Sequence, residues 1–163
     1  MAFKDRRTII NFNLETSLGL LSLQLSEKGL CSANFCYNSS IKSQKPKSAI
    51  ERQKIKEVKL EIESFIAAKL DSFSSNLDLQ GTEFQKKVWK ELKKIPRGET
   101  RTYRQIATAL ACPKAYRAVA NACASNKLAL FIPCHRVIRS DGSLGGYRWG
   151  LALKDRLLKI EAF

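Results

Sequence analysis

The spacing of apolar residues changes period along this chain, and that change constrains the fold more than any other feature. Between residues 8 and 40 the stretch Ser22-Leu23-Gln24-Leu25-Ser26 alternates with period two. Glu27-Lys28-Gly29 supplies a turn, and Ala33, Phe35 and Tyr37 alternate again. Side chains of a strand point to opposite faces in turn, so this pattern predicts strands joined by tight turns. The polar, lysine-rich segment Ser39 to Ser48, with Pro46, predicts a loop. Ile55, Val58, Ile62, Phe65 and Ile66 then follow helical spacing, with Glu and Lys on the opposite face. Asp71-Ser72-Phe73-Ser74-Ser75-Asn76 has the composition of a linker. The expected architecture is an α/β (α+β) chain with an N-terminal domain over 1–76 and a second domain over 77–163.

The second half carries helix start signals at short intervals. In Thr82-Glu83-Phe84-Gln85 the threonine and glutamine side chains satisfy amides that a helix start leaves unpaired. Phe84, Val88, Trp89, Leu92 and Ile95 form the apolar stripe, lysines 86, 87, 90, 93 and 94 line the wet faces, and Pro96-Arg97-Gly98 is the expected stop. Thr102-Tyr103-Arg104-Gln105 repeats the start signal, for a short helix over 103–110 burying Ile106, Ala107 and Leu110. Pro113 suits the first position of the next helix, where its missing amide costs nothing. That helix, 113–124, is expected to bury Ala115, Ala118, Val119 and Ala122 and to offer Lys114, Arg117 and Asn121 outward. Two short helices around a tight turn, the second basic, suggest a helix-turn-helix. A last helix begins near Ala152, with Leu153, Leu157, Leu158 and Ile160 apolar.

Charge narrows the partners. Twenty-nine Lys and Arg against fifteen Asp and Glu give a formal net charge of +14, an excess that attracts polyanions, nucleic acid above all. No apolar run approaches the ~18 residues that span a bilayer. Asp5, Arg6 and Arg7 precede any apolar stretch, so no signal-peptide core is present and a cytoplasmic location is expected. Five cysteines, an odd number, fit reduced thiols rather than a disulfide framework. The closest pair, Cys31 and Cys36, has no accompanying histidine, so neither a metal site nor a cofactor is expected, and Cys31, Cys36, Cys112 and Cys123 read as packing residues.

The chemistry concentrates in Pro133-Cys134-His135-Arg136-Val137, which follows the apolar run Leu128 to Ile132 and contains the chain's one histidine. A thiol is a strong nucleophile only as thiolate, and a free cysteine has a pKa near ~8.5. An adjacent imidazole can take the proton, directly or through one water. A cysteine hydrolase built on Cys134, His135 and Glu161 would leave the charge unexplained. A plain helix-turn-helix module would leave the Cys-His segment unexplained.

Further along stand Gly98-Glu99-Thr100, Arg117-Ala118-Val119, Asn126, Ile132 to Ile138, Gly145-Gly146-Tyr147-Arg148-Trp149-Gly150-Leu151, Lys154, Leu157-Leu158 and Glu161. With Gly81 to Gln85 and Val88-Trp89, these segments resemble the O6-alkylguanine-DNA alkyltransferases, also called methylated-DNA–protein-cysteine methyltransferases. The resemblance covers residues 81–161; the first 80 match only in general character.

The resemblance implies a small ribonuclease-H-like sheet domain followed by a mostly helical, winged-helix-like domain. It implies single-turnover transfer of a methyl or larger alkyl group from O6 of guanine, with O4 of thymine as a second candidate position, to Cys134. The partner would be double-stranded DNA carrying O6-alkylguanine, and the protein would act as a monomer. His135 would take the thiol proton through a water, Glu161 would set the imidazole tautomer, and Asn126 would tie the helix-turn-helix to the active segment. Tyr103 would donate a proton toward the departing base. Arg117 would fill the gap left by a flipped nucleotide, with Lys114, Tyr116 and Asn121 beside it on DNA. Gly145, Gly146, Tyr147, Arg148, Trp149 and Val137 would form the base pocket. This chain departs from the family pattern in three places: Lys127 follows Asn126 where proline is usual, Tyr116 stands where a small residue is usual, and Ala120 replaces a common glycine.

Binding to DNA is expected to fall steeply with salt and to show little sequence preference, because Lys and Arg displace condensed counterions. Titrations between about 50 and 200 mM salt measure the slope, and a flat response would remove the electrostatic reading.

Overall fold

The computed structural model describes residues 9–36 and 42–162. Tyr37 and the start of the predicted Ser39–Ser48 loop lie outside the described residues. Strands β1 (Ile10–Thr16), β2 (Gly19–Ser26) and β3 (Gly29–Cys36) form an antiparallel meander in the order β1-β2-β3. Leu21, Leu23 and Leu25 of β2 are buried, as period two requires. The β2–β3 turn needs Gly29: its φ is +147°, and a Cβ there would stand 2.2 Å from the Asn76 carbonyl oxygen. That carbonyl accepts from Leu30 N–H at 2.8 Å, so the predicted linker is stitched to β3.

Helix α1 (Ala49–Ile66) starts at Ser48, whose side chain accepts from the Glu51 amide, and buries Val58, Ile62 and Phe65. Phe65, Phe73 and Phe131 stack in series, with centroids 4.8 and 4.2 Å apart, which joins α1 to the segment leading into Pro133.

Both predicted capping boxes are present. They open α2 (Glu83–Leu92) and α3 (Tyr103–Ala109). Helix α2 ends at Leu92, before the expected Pro96; Ile95 is buried but closes a tighter turn on the Leu92 carbonyl at 3.1 Å. Trp89 Nε1 donates to the Ala122 carbonyl at 2.8 Å and so fixes α2 against α4 (Tyr116–Ala124). The predicted single helix over 113–124 is in fact a 3-10 turn, Pro113–Ala115, followed by α4. Cys112 provides no side-chain cap, and the first turn closes instead through Ala115 N–H to the Cys112 carbonyl at 2.8 Å. Val119 and Ala122 are buried as expected, whereas Ala118 is exposed and Ala115 half-buried.

Two-residue strands β4 (Arg101–Thr102) and β5 (Val137–Ile138) pair in parallel, and α5 (Leu151–Glu161) closes the chain. Thr102 caps α3, so this pairing sets Tyr103 beside the segment that carries Cys134. No helix among the described residues is long and apolar enough to cross a membrane.

Arg97 joins the end of α1 and the segment after it to α5. Its guanidinium donates to the carbonyls of Phe65 (3.1 Å), Leu70 (2.9 Å) and Ile160 (3.0 Å) and lies over the Phe65 ring. Arg97→Ala is expected to lower stability by about 3 kcal/mol in urea unfolding, since hydrogen bonds from a charged donor are lost together and carbonyls are left unpaired. A loss under about 1 kcal/mol would mean that water replaces the guanidinium at these carbonyls.

Candidate active site

Cys134, His135 and Arg136 form one 3-10 turn, entered from Pro133 and leading straight into β5. All three side chains are buried. Asn126, just past the end of α4, is fully buried as well. Its Nδ2 donates to the Ile132 carbonyl at 3.0 Å and to Cys134 Sγ at 3.1 Å, while its Oδ1 accepts from Leu128 N–H at 2.8 Å. One amide thus folds the 126–134 segment back on itself and presents a donor to sulfur. Lys127 does not loosen this turn: its carbonyl accepts from Ala33 N–H at 2.7 Å, and Ala129 N–H donates to the Ala33 carbonyl at 2.9 Å. Strand β3 holds the turn that proline would otherwise stiffen.

Behind the cysteine lies a buried ionic knot. Glu161 accepts from His135 Nε2 at 2.7 Å and from Arg136 Nε and Nη2 at 2.8 and 2.9 Å. Burial opposes ionisation of Glu161, but the hydrogen bonds from His135 and Arg136 outweigh it and bring the carboxyl down to about 2. An ionised carboxylate only accepts, so Nε2 carries the imidazole proton and Nδ1 keeps its lone pair. That Nδ1 is buried and has no partner. Burial lowers the His135 pKa against the pull of Glu161, so the ring is neutral near pH 7 and its free lone pair is on Nδ1.

Burial also pushes the Cys134 thiol up, to about 11, with Asn126 and the Lys154 charge working in the opposite direction. At rest the sulfur is therefore a thiol, and it becomes nucleophilic only when its proton is removed.

The sulfur faces a cavity of about 620 Å³, lined also by Tyr103, Arg117, Cys123, Arg139 and Tyr147. Tyr103 is half-buried, and burial raises its pKa to about 12, so its O–H stays a donor. Gly145 packs against this ring: with φ at +68°, a Cβ would lie 3.1 Å from the Tyr103 hydroxyl. At Gly146 a Cβ would meet nothing within 4 Å, so its lack of a side chain is not needed for packing. Gly146 and Arg148 reach the cavity wall, whereas Trp149 and Val137 stand behind it. Trp149 packs edge-on to Tyr147 at 5.2 Å and to Phe35 of β3 at 6.5 Å. Of the residues read as DNA contacts, Tyr116, Arg117 and Asn121 line the cavity. Lys114 is exposed on the 3-10 turn before α4 and is not part of the wall.

Two cations escaped the sequence reading as site residues. Lys154 of α5 is fully buried, and its Nζ donates to the carbonyls of Val137 (2.6 Å), Leu144 and Gly146 (3.3 Å). It ties the loop over the cavity to β5. Arg136 donates to the Ile95 carbonyl at 2.6 Å besides holding Glu161. A lysine within an amphipathic helix carries no mark of burial, so only its place in the Leu157 stripe (three residues apart) hinted at an inward direction.

Glu161 also carries a pH signature. A carboxyl held below its ordinary 4.5 stabilises the fold above that pH and loses the contribution as pH falls toward 2. Glu161→Gln is expected to cost about 3 kcal/mol near neutrality, because the buried guanidinium loses its counter-charge. In urea unfolding over a pH series the gap to the wild type narrows below pH 4.5. A gap constant with pH would show that the carboxylate charge is not the stabilising element.

Comparison with known proteins finds relatives along nearly the whole chain. The family model described as the 6-O-methylguanine DNA methyltransferase, DNA binding domain, matches residues 83–163. A methylated-DNA–protein-cysteine methyltransferase from Methanosarcina barkeri is 45% identical over 149 residues, covering 91% of this chain and 94% of that protein. The crystal structure of Mycobacterium tuberculosis O6-methylguanine methyltransferase is similar with a TM-score of 0.83 at 32% identity, over 95% of this chain and 93% of that one. The Mycobacterium tuberculosis protein solved in complex with DNA is similar with a TM-score of 0.82 at 34% identity, over 92% and 91%. With a buried cysteine on the cavity wall, a His-Glu pair beginning at the next residue, and relatives of this name matched over nine-tenths of its length, this chain belongs to the methylated-DNA–protein-cysteine methyltransferase family.

Proposed function

We propose that this protein repairs alkylated DNA by moving a methyl or larger alkyl group from O6 of guanine in a duplex to Sγ of Cys134, once per molecule. The observation that carries the reading is the position of Cys134: its sulfur lines a cavity and accepts from the Asn126 amide, and the next residue in the chain is a buried imidazole backed by a carboxylate. The relatives are named for methylated DNA and for a protein cysteine, which supports this choice of donor and acceptor.

The alkylated base is stacked in a duplex, so it enters by rotating out of the helix. Arg117, exposed on α4 at the cavity wall, fills the space it leaves. The mouth is lined by Arg104, Arg117, Arg139 and Arg148, which suits the phosphates flanking an extruded nucleotide.

In the reaction the Cys134 proton passes through one water to His135 Nδ1, and Glu161 steadies the imidazolium that forms. The sulfur bonds to the alkyl carbon as the carbon–O6 bond breaks, and the bonding pair leaves with guanine. Tyr103 donates its O–H to the guanine anion, and the imidazolium returns its proton through solvent to the phenolate. The base is restored and Cys134 holds a thioether. Neither water nor imidazole cleaves a thioether readily, so the protein is consumed. The division into domains at 76/77 belongs to the same reading, since the matched family region begins at 83.

Mixing the protein with a duplex containing O6-methylguanine is expected to add one methyl to the intact mass, located on Cys134. Cys134→Ala is expected to bind the same duplex and gain no mass. Methyl transfer retained by that variant, or a wild type that stays unmodified, would overturn the assignment.

A further inference from the structure

Tyr116 opens α4 at the wall of the cavity, half-buried. Two guanidiniums lie against its ring. The Arg104 carbon Cζ, from α3, is 5.2 Å from the ring centroid, and that of Arg117, from α4, is 5.8 Å away. Both separations fall within the range in which a cation is attracted to the ring face. Several other arginines are held by carbonyls or carboxylates: Arg97 by three carbonyls, Arg136 by Glu161 and Ile95, Arg148 by Ala124. Arg104 and Arg117 have no such partner among the described residues and instead share one aromatic ring, which Arg139 of the same cavity does not. Among the described residues no carboxylate or carbonyl takes either guanidinium, and no acidic residue lines the cavity. The aromatic ring is therefore the contact that restrains two like charges at one rim.

An arginine that must enter a duplex as the base leaves benefits from being ordered beforehand, because a free side chain gives up its rotamer freedom on insertion. We propose that Tyr116 is a positioning residue. Its ring holds Arg117 over the cavity mouth in the pose used on duplex DNA, with Arg104 completing the cationic rim from α3. The inference rests on the proposed alkyl transfer and adds a residue that acts on the DNA-engaging arginine without touching the reacting atoms.

The test compares transfer from a duplex bearing O6-methylguanine with transfer from free O6-benzylguanine, which has no duplex to open. Tyr116→Leu removes the ring and keeps an apolar side chain; it is expected to slow duplex transfer by about twofold to fivefold relative to its effect on the free base, the effect of one exposed cation–π contact. Tyr116→Phe keeps the ring and is expected to recover the duplex rate. In an Arg117→Ala background the difference between the Leu and Tyr forms on duplex is expected to shrink, since Arg104 is then the one guanidinium left on the ring. The inference is overturned if Leu matches Tyr on duplex, if Phe is as slow as Leu, if Leu slows both substrates equally, or if its effect persists undiminished without Arg117. A wild type that transfers nothing from either substrate overturns the proposed function and this inference with it. A wild type that transfers normally while any of the preceding four results is found overturns this inference alone.

Discussion

The buried carboxylate of Glu161 is the constraint on which the rest of this structure depends. An ionised group inside a protein costs several kcal/mol unless its oxygens are fully engaged. Here they are engaged, by His135 and by two nitrogens of Arg136. The last residue of α5 is thereby joined to the 3-10 turn that carries the nucleophile, and Arg136 extends the connection to the carbonyl of Ile95 after α2. Because Cys134, His135 and Arg136 are consecutive, fixing the last two fixes the direction of the first. The same bonds orient the imidazole so that its unshared pair sits on Nδ1. Structural and chemical roles are thus served by one set of hydrogen bonds.

A second theme is the pairing of irregular backbone with buried cations and one amide. The segments around the cavity have little helix or strand to absorb their carbonyls. Lys154 takes those of Val137, Leu144 and Gly146, and Asn126 takes that of Ile132; away from the cavity, Arg97 does the same for Leu70 and for the helix-end carbonyls of Phe65 and Ile160. Buried backbone polar groups must find partners, and side chains long enough to cross a loop supply them here. Part of the chain's positive charge therefore works inside the molecule, while the arginines of α3, α4 and the 139–148 loop stand around the cavity. The charge excess alone could not separate these two uses.

The N-terminal sheet has a concrete part in the site. Ala33 of β3 exchanges hydrogen bonds with Lys127 and Ala129, bracing the turn at Asn126. Phe35, on the same strand, meets Trp149, which meets Tyr147, which stands edge-on to His135 at 6.4 Å. The N-terminal half of the molecule thus supports the loop and the turn that border the sulfur, through contacts made across more than ninety positions of sequence.

Local signals were legible because they act over a few residues. The two Thr-x-x-Gln capping boxes, the period-two leucines of β2 and the stripe of α1 all depend on spacing, and all appear where spacing put them. The Pro-Cys-His-Arg-Val segment announced its chemistry by residue type. Three things were invisible. The break of 113–124 into a 3-10 turn and a helix depended on Cys112 lacking a cap. The exposure of Ala118 depended on which face of α4 met α2. The burial of Lys154 depended on three carbonyls brought together by β5 and the following loop. Sequence by itself determined the elements, their polarity and the nucleophile, since hydrogen bonding and side-chain period operate within a turn or two of chain. Only the tertiary structure decided that Glu161 reaches His135 across 26 positions, that Nδ1 faces no protein partner, and that the thiol is held protonated, since burial and charge pairing are properties of what surrounds a group in space.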